Sequence, residues 1–200
     1  MNYPTSIRNL IECYKKLPGI GEKSAERLAL ASLQLDNNIT DLFSKSLLDI
    51  KTKIKKCKEC NSLTENEICE ICSNPDRDKT TICVVQEPKN IILFEKMGTY
   101  NGLYYVLDGL ISPLEGIGPE DIDLDHLFKQ IKLNKIEEVI IAVKPSIEGE
   151  TTALYIQKTL SNTNVVVSKI AHGIPIGADI DYIDALTLET ALQDRKKISS

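Results

Sequence analysis

No stretch of this chain approaches the roughly 18 consecutive apolar residues that a membrane-spanning helix needs, and a helical membrane protein is therefore excluded. Met1-Asn2-Tyr3-Pro4-Thr5 is neither a basic leader nor the start of an apolar one. No secretory signal is expected, and the cytoplasm is the default compartment. Internal repeats and low-complexity tracts are also missing, which excludes solenoids and biased linkers. Histidine is scarce: His126 and His172 stand without ligand-spaced partners and are expected as surface or packing residues.

What is present is ordinary soluble composition, 42% hydrophobic and 26% charged over 200 residues, enough for one medium domain or two small ones. The formal net charge of -5 argues against nucleic acid, because phosphate binding needs cations. Its distribution does not. Residues 1–56 hold ten Lys/Arg against six Asp/Glu, whereas residues 57–200 hold fourteen against twenty-three. The basic first part is either a localised DNA-binding surface or a chance partition of charge.

Ile7, Leu10, Ile11, Tyr14 and Leu17 recur at helical spacing until Pro18-Gly19. A second helix is predicted from Glu22 to about Leu35, with Ala25, Leu28, Ala29 and Leu33 inward, and a third from about Thr40 to Ile54. Beyond Pro75 short strands alternate with helices. The strands are expected at 81–85, 103–107, 138–143 and 165–170, and the helices at 90–97, 124–131 and 151–161. That order implies a mostly parallel sheet covered by helices, and a last helix is expected from about Tyr182 to Lys197.

Cys57-x2-Cys60-x8-Cys69-x2-Cys72 is the strongest local signal. Each short turn presents two sulfurs to one ion, so the pattern fits tetrahedral zinc. Disulfides are improbable without an oxidising compartment. Four protein ligands leave no open position, so the predicted zinc is structural, one per chain. Few core-forming residues lie between the pairs, and metal binding should drive local folding. Cys13 and Cys83 stand apart and are expected to be packed.

Leu17-Pro18-Gly19-Ile20-Gly21 joins the first two helices. Gly19 and Gly21 permit a tight turn and close approach of a phosphate. Free N–H groups at the second helix start favour an anion, and Lys23 and Arg27 share one face there. The same turn could serve an ordinary corner with two surface cations. The basic pair and the basic segment tip the reading to a phosphate-binding helix-hairpin-helix, one that contacts backbone rather than base edges.

Acids follow the strands: Glu87, Asp108, and Glu148-Gly149-Glu150. Carboxylates gathered at strand ends could hold Mg²⁺ for phosphoryl chemistry. Asp108-Gly109-Leu110 contains no Asp-x-Asp pair, so solvated loop acids are the expected reading, with weak Mg²⁺ binding left open.

In this order the pieces resemble the RecR family over essentially the whole chain. Leu17-Pro-Gly-Ile-Gly-x-Lys-Ser-Ala-x-Arg-Leu is similar to its helix-hairpin-helix, and Cys57, Cys60, Cys69 and Cys72 to its zinc finger. The strand segments, Ser112 to Pro119 and Lys144 to Ala153 resemble its Toprim domain, and Gly173-Ile174-Pro175 with Thr187-Leu188 its C-terminal segment. Ala31 and Asp108 depart from the pattern: histidine is frequent at the first position and a non-acidic residue expected at the second.

The resemblance implies a multi-part fold combining α+β and α/β architecture. Its parts would be a helical DNA-binding region at 1–56, a four-cysteine finger at 57–72, a Toprim-like α/β domain with a mostly parallel sheet at 80–175, and a C-terminal helical segment at 176–200. It also implies a non-catalytic, homotetrameric DNA clamp acting with RecO and RecF to load recombinase at gapped single-stranded DNA. Lys23 and Arg27 would be its DNA contacts. The competing expectation is a Mg²⁺-dependent Toprim nuclease or primase.

Overall fold

A computed structural model describes residues 3–171, 173–195 and 197; His172, and Lys196 within the expected last helix, lie outside them. The described chain forms two compact units, residues 1–54 and 55–200.

Three helices make the first unit: α1 (Thr5–Lys15), α2 (Glu22–Ser32) and α3 (Asn37–Thr52). Alanines at 25 and 29, with almost no exposed surface, let α2 lie close against α1 at Ile11. Tyr14 and Ser32 join their hydroxyls across that contact at 2.9 Å. Leu33 does not turn inward as expected. It is the C-cap of α2, beyond the last helical turn, and is 62% exposed. Cys13 is likewise exposed rather than packed. The larger departure is α3, which buries no residue at all. Leu42, Phe43, Leu47 and Ile50 keep their helical spacing yet remain exposed. Within this unit the amphipathic stripe has nothing to cover it.

The second unit opens with the cysteine segment. A two-residue ladder pairs β1 (Lys55–Lys56) with β2 (Leu63–Thr64), and a single helical turn, α4, spans Glu70–Ser73. The larger sheet contains β3 (Asp78–Val85), β4 (Gly102–Val106), β5 (Glu138–Ala142) and β6 (Val166–Lys169), all parallel, in the order β4-β3-β5-β6. α5 (Pro88–Met97) connects β3 to β4, α6 (Leu124–Leu133) precedes β5, and α7 (Ile147–Leu160) connects β5 to β6.

One face of the sheet, with Val84, Tyr105, Val139 and Ile141, packs against Leu127 of α6 and Ile156 of α7. Each such fully buried side chain contributes roughly 1.5–3 kcal/mol. The other face, with Cys83, Val85, Tyr104 and Val106, packs against Ile91 of α5 and Ile71 of α4. Cys83 is packed as expected, and burial pushes its thiol up to about 12. Arg77 forms a largely buried ion pair with Glu95, whose carboxylate also accepts from the Tyr104 hydroxyl at 2.7 Å.

Three helices begin earlier than their periodicity predicts, α3 at Asn37 among them. Pro88 enters α5 at its first position, behind a reciprocal cap between Glu87 and Asn90. α7 starts at Ile147 because Ser146 Oγ accepts from the Gly149 amide at 3.3 Å. Gly149 is required by proximity, since a Cβ there would sit 2.0 Å from the Lys144 carbonyl oxygen. The terminal helix α8 (Ala185–Gln193) is capped by Asp184, and Tyr182 falls in a preceding 3-10 turn. No helix among the described residues is long and apolar enough to cross a membrane.

Candidate nucleic-acid interface and metal centre

Gly19 takes φ +79°, the left-handed conformation that glycine adopts without steric cost. Gly21 serves differently. It is the N-cap of α2 in extended backbone, φ -81°, and no side chain caps the helix there. Nothing lies within 4 Å of where a Cβ would stand on either glycine. The first N–H groups of α2 therefore meet no capping side chain, as an anion site requires.

Lys23 and Arg27 are exposed on α2, away from the face carrying Ala25 and Ala29. Neither has an acidic partner among the described residues. Several lysines close to the cysteines are engaged. Lys53 pairs with Asp49 at 2.7 Å, and Lys56 pairs with Asp108. Lys55 and Lys58 both grip Glu67, and their hydrogen bonds hold its carboxyl down at about 2. Much of the cationic run thus neutralises the protein's own acids, leaving the α2 pair open to phosphate.

All four cysteines of the two pairs are buried, and their sulfurs lie within 4.8 Å of one another. Cys60 Sγ and Cys69 Sγ are 3.6 Å apart, near the ~3.8 Å expected of sulfurs about 2.3 Å from one tetrahedral ion. The backbone supports negative sulfur, since Cys57 Sγ accepts from the Cys69 amide at 3.3 Å and Cys69 Sγ from the Cys72 amide at 3.5 Å. Hydrogen bonding from Cys60 holds the Cys69 thiol far below its ordinary range, while sharing those hydrogen bonds pushes Cys60 and Cys72 up. A divalent cation in place of the shared protons would satisfy every sulfur at once.

The strand-end acids do not converge. Among the described residues the cysteine quartet is the one group of metal-capable side chains that gathers. A cavity of about 340 Å³ lies beyond the ends of β3 and β5, but only Glu87 of the nominated acids lines it, and Lys144 is also there. Glu87 caps α5 and pairs with Lys89 at 2.6 Å. Asp108 is held by Lys56. Glu148 and Glu150 belong to the first turn of α7 rather than to a loop. Glu148 accepts from Ser146 Oγ at 2.7 Å, which keeps its carboxyl below the usual range, and Glu150 pairs with Lys169.

Two contact residues escape sequence reasoning. Asn61, next to a cysteine, donates to the Tyr105 hydroxyl at 3.1 Å across 44 positions of chain. His126 is a packing residue, with Nδ1 3.0 Å from the same hydroxyl. No local pattern marks either Asn61 or Tyr105.

Family models match along the chain. Residues 7–51 match one described as RecR, helix-hairpin-helix, and residues 54–74 match the RecR zinc finger domain of the four-cysteine kind. Residues 80–171 match the Toprim domain and residues 173–196 match RecR, C-terminal. A curated relative, Recombination protein RecR of Lactobacillus helveticus (strain DPC 4571), is 45% identical over 196 residues, covering 98% of each chain.

Proposed function

This chain belongs to the RecR family of recombination proteins, and from that premise we propose that it is a non-catalytic, DNA-binding mediator of recombinational repair. In this reading it works in the cytoplasm as a homotetrameric clamp with RecO and RecF, helping to load recombinase at gapped single-stranded DNA. Residues 1–56 supply the DNA contact through Gly19, Gly21, Lys23 and Arg27. Residues 57–72 form the finger, with Cys57, Cys60, Cys69 and Cys72 as ligands to one zinc. Residues 80–175 form the Toprim domain and 176–200 the C-terminal segment. Zinc supplies cross-linking rather than chemistry, because the four thiolates complete its coordination.

The observation that carries the reading is the unneutralised pair Lys23 and Arg27 beside the uncapped start of α2. It supports sequence-independent phosphate binding, with affinity falling steeply as salt rises. The exposed stripe of α3 supports assembly, since an apolar face of Leu42, Phe43, Leu47 and Ile50 is costly to leave in water. Light scattering coupled to size exclusion, with and without gapped DNA, tests both parts. A four-chain mass that shifts on adding DNA is expected; a monomer indifferent to DNA would defeat the reading.

The scattered strand-end acids speak against the Mg²⁺-dependent alternative. Incubation with supercoiled DNA, single strands or nucleotides plus Mg²⁺ should yield no cleavage, relaxation or primer. A product lost in Glu87→Gln would favour an enzyme instead.

A further inference from the structure

The finger is not a bead on a string. β4 is an edge strand, paired in the sheet only with β3. On its far side the Cys60 carbonyl accepts from the Val106 amide at 2.9 Å, so a metal-ligand loop covers the open edge that a strand otherwise exposes. Ile71 packs both on the cysteine cluster and on the adjacent sheet face.

Beyond β4 the chain runs through residues 108–123, a segment with one isolated antiparallel bridge, Ser112 to Ile117. Both ends are fastened to the finger. At one end Lys56, next to Cys57, pairs with Asp108. At the other, Asn61, next to Cys60, donates to Asp123 Oδ2 at 3.2 Å. Tyr105 completes the knot. Its ring is fully buried, and its hydroxyl accepts from Asn61 and donates to the Asp123 carbonyl at 3.0 Å. Asn61, Asp108 and Asp123 all hold left-handed backbone, at φ +59°, +57° and +55°. Asn and Asp are the L residues that adopt it most readily, and each marks a chain reversal beside the joint.

We propose that the cysteine centre is the clamp of this segment: metal binding orders residues 108–123 through Asn61 and Tyr105. The inference rests on the reading of the four cysteines as zinc ligands. The physical chain is short. Without metal the Cys57–Cys60 turn loses its fixed geometry, and with it go the Cys60 carbonyl, the Asn61 amide and the Lys56 ammonium. The two polar tethers at its ends then have no rigid anchor, and the segment keeps Leu110, Ile111 and Ile122 in the core and the Ile111 amide on Thr152 Oγ1 at 2.9 Å. Coupling of this kind is reciprocal, so weakening the clamp must also weaken metal binding.

Hydrogen exchange of the full chain, zinc-loaded and chelator-stripped, reads this directly, with zinc content measured on each sample. Stripping should speed exchange in residues 55–74 and also in 108–123, leave β5 and α7 protected, and be reversed by added zinc. Tyr105→Phe keeps the buried ring, and Asn61→Gly accepts the left-handed backbone; both should stay folded. Each should bind zinc yet exchange in 108–123 near the stripped rate, with zinc affinity lowered on the order of tenfold. Two results would overturn the clamp: exchange in 108–123 indifferent to zinc while the finger responds, or both variants behaving as wild type. Loss of protection throughout β5 and α7 on stripping would replace it with a global structural role. A chain that binds no zinc would instead defeat the ligand assignment, and the clamp with it.

Discussion

Replacing Cys60 with serine is expected to release the metal and unfold the finger. A serine hydroxyl does not ionise at neutral pH, so the site would keep three thiolates crowded around an ion that prefers four. Zinc-finger peptides draw about 10–16 kcal/mol from metal binding, far more than the few apolar side chains of residues 55–74 can replace. The damage should not stay local, because Cys60 also supplies the carbonyl that covers Val106 on β4. Metal analysis should find less than one zinc per chain, and thermal unfolding should begin well below that of the wild type. A serine variant that is metal-free yet melts with the wild type would show that the quartet does not hold the fold.

The second large effect is expected in DNA binding. Lys23 and Arg27 stand on the exposed face of α2 where its dipole and free N–H groups already favour phosphate. Each should displace one condensed counterion. Lys23→Ala with Arg27→Ala should then lower the slope of log affinity against log salt by roughly two for each hairpin engaged. In the proposed four-chain assembly, recurrence of the hairpin would multiply the loss. The helix should persist, because alanine is the better helix former and the packed residues Ala25 and Ala29 are untouched. Circular dichroism and zinc content serve as controls. Unchanged affinity and slope in a folded double variant would remove the hairpin as the DNA site.

The two effects separate cleanly. Cys60→Ser acts on the unit from residue 55 onward, whereas the α2 substitutions act on the first unit and leave the cysteines alone. A zinc-replete protein that has lost salt-dependent binding therefore reports the hairpin, and a metal-free protein reports the finger.

Local features were legible in the sequence because their causes lie within a few residues. The Pro18-Gly19 stop, the start of α2 after Gly21, the two Cys-x2-Cys turns and the apolar runs of β3 and β5 all depend on neighbouring backbone and side chains. Early caps shifted two boundaries, since Glu87 with Asn90 and Ser146 with Gly149 win helix turns that apolar periodicity alone does not mark. What periodicity could not decide was where each stripe goes. α3 has the spacing of a packed helix and buries nothing, because amphipathicity asks for a partner without naming one. The strand order β4-β3-β5-β6 and the fate of the lysines were likewise set by tertiary structure. Lys55 and Lys58 meet Glu67, and Lys56 meets Asp108, through chain reversals that charge counting cannot foresee. Asn61 and Tyr105 carry no motif at all. They become a joint only because the finger folds back on the edge of the sheet, where a buried hydroxyl must find a hydrogen-bond partner and Asn61 is within reach.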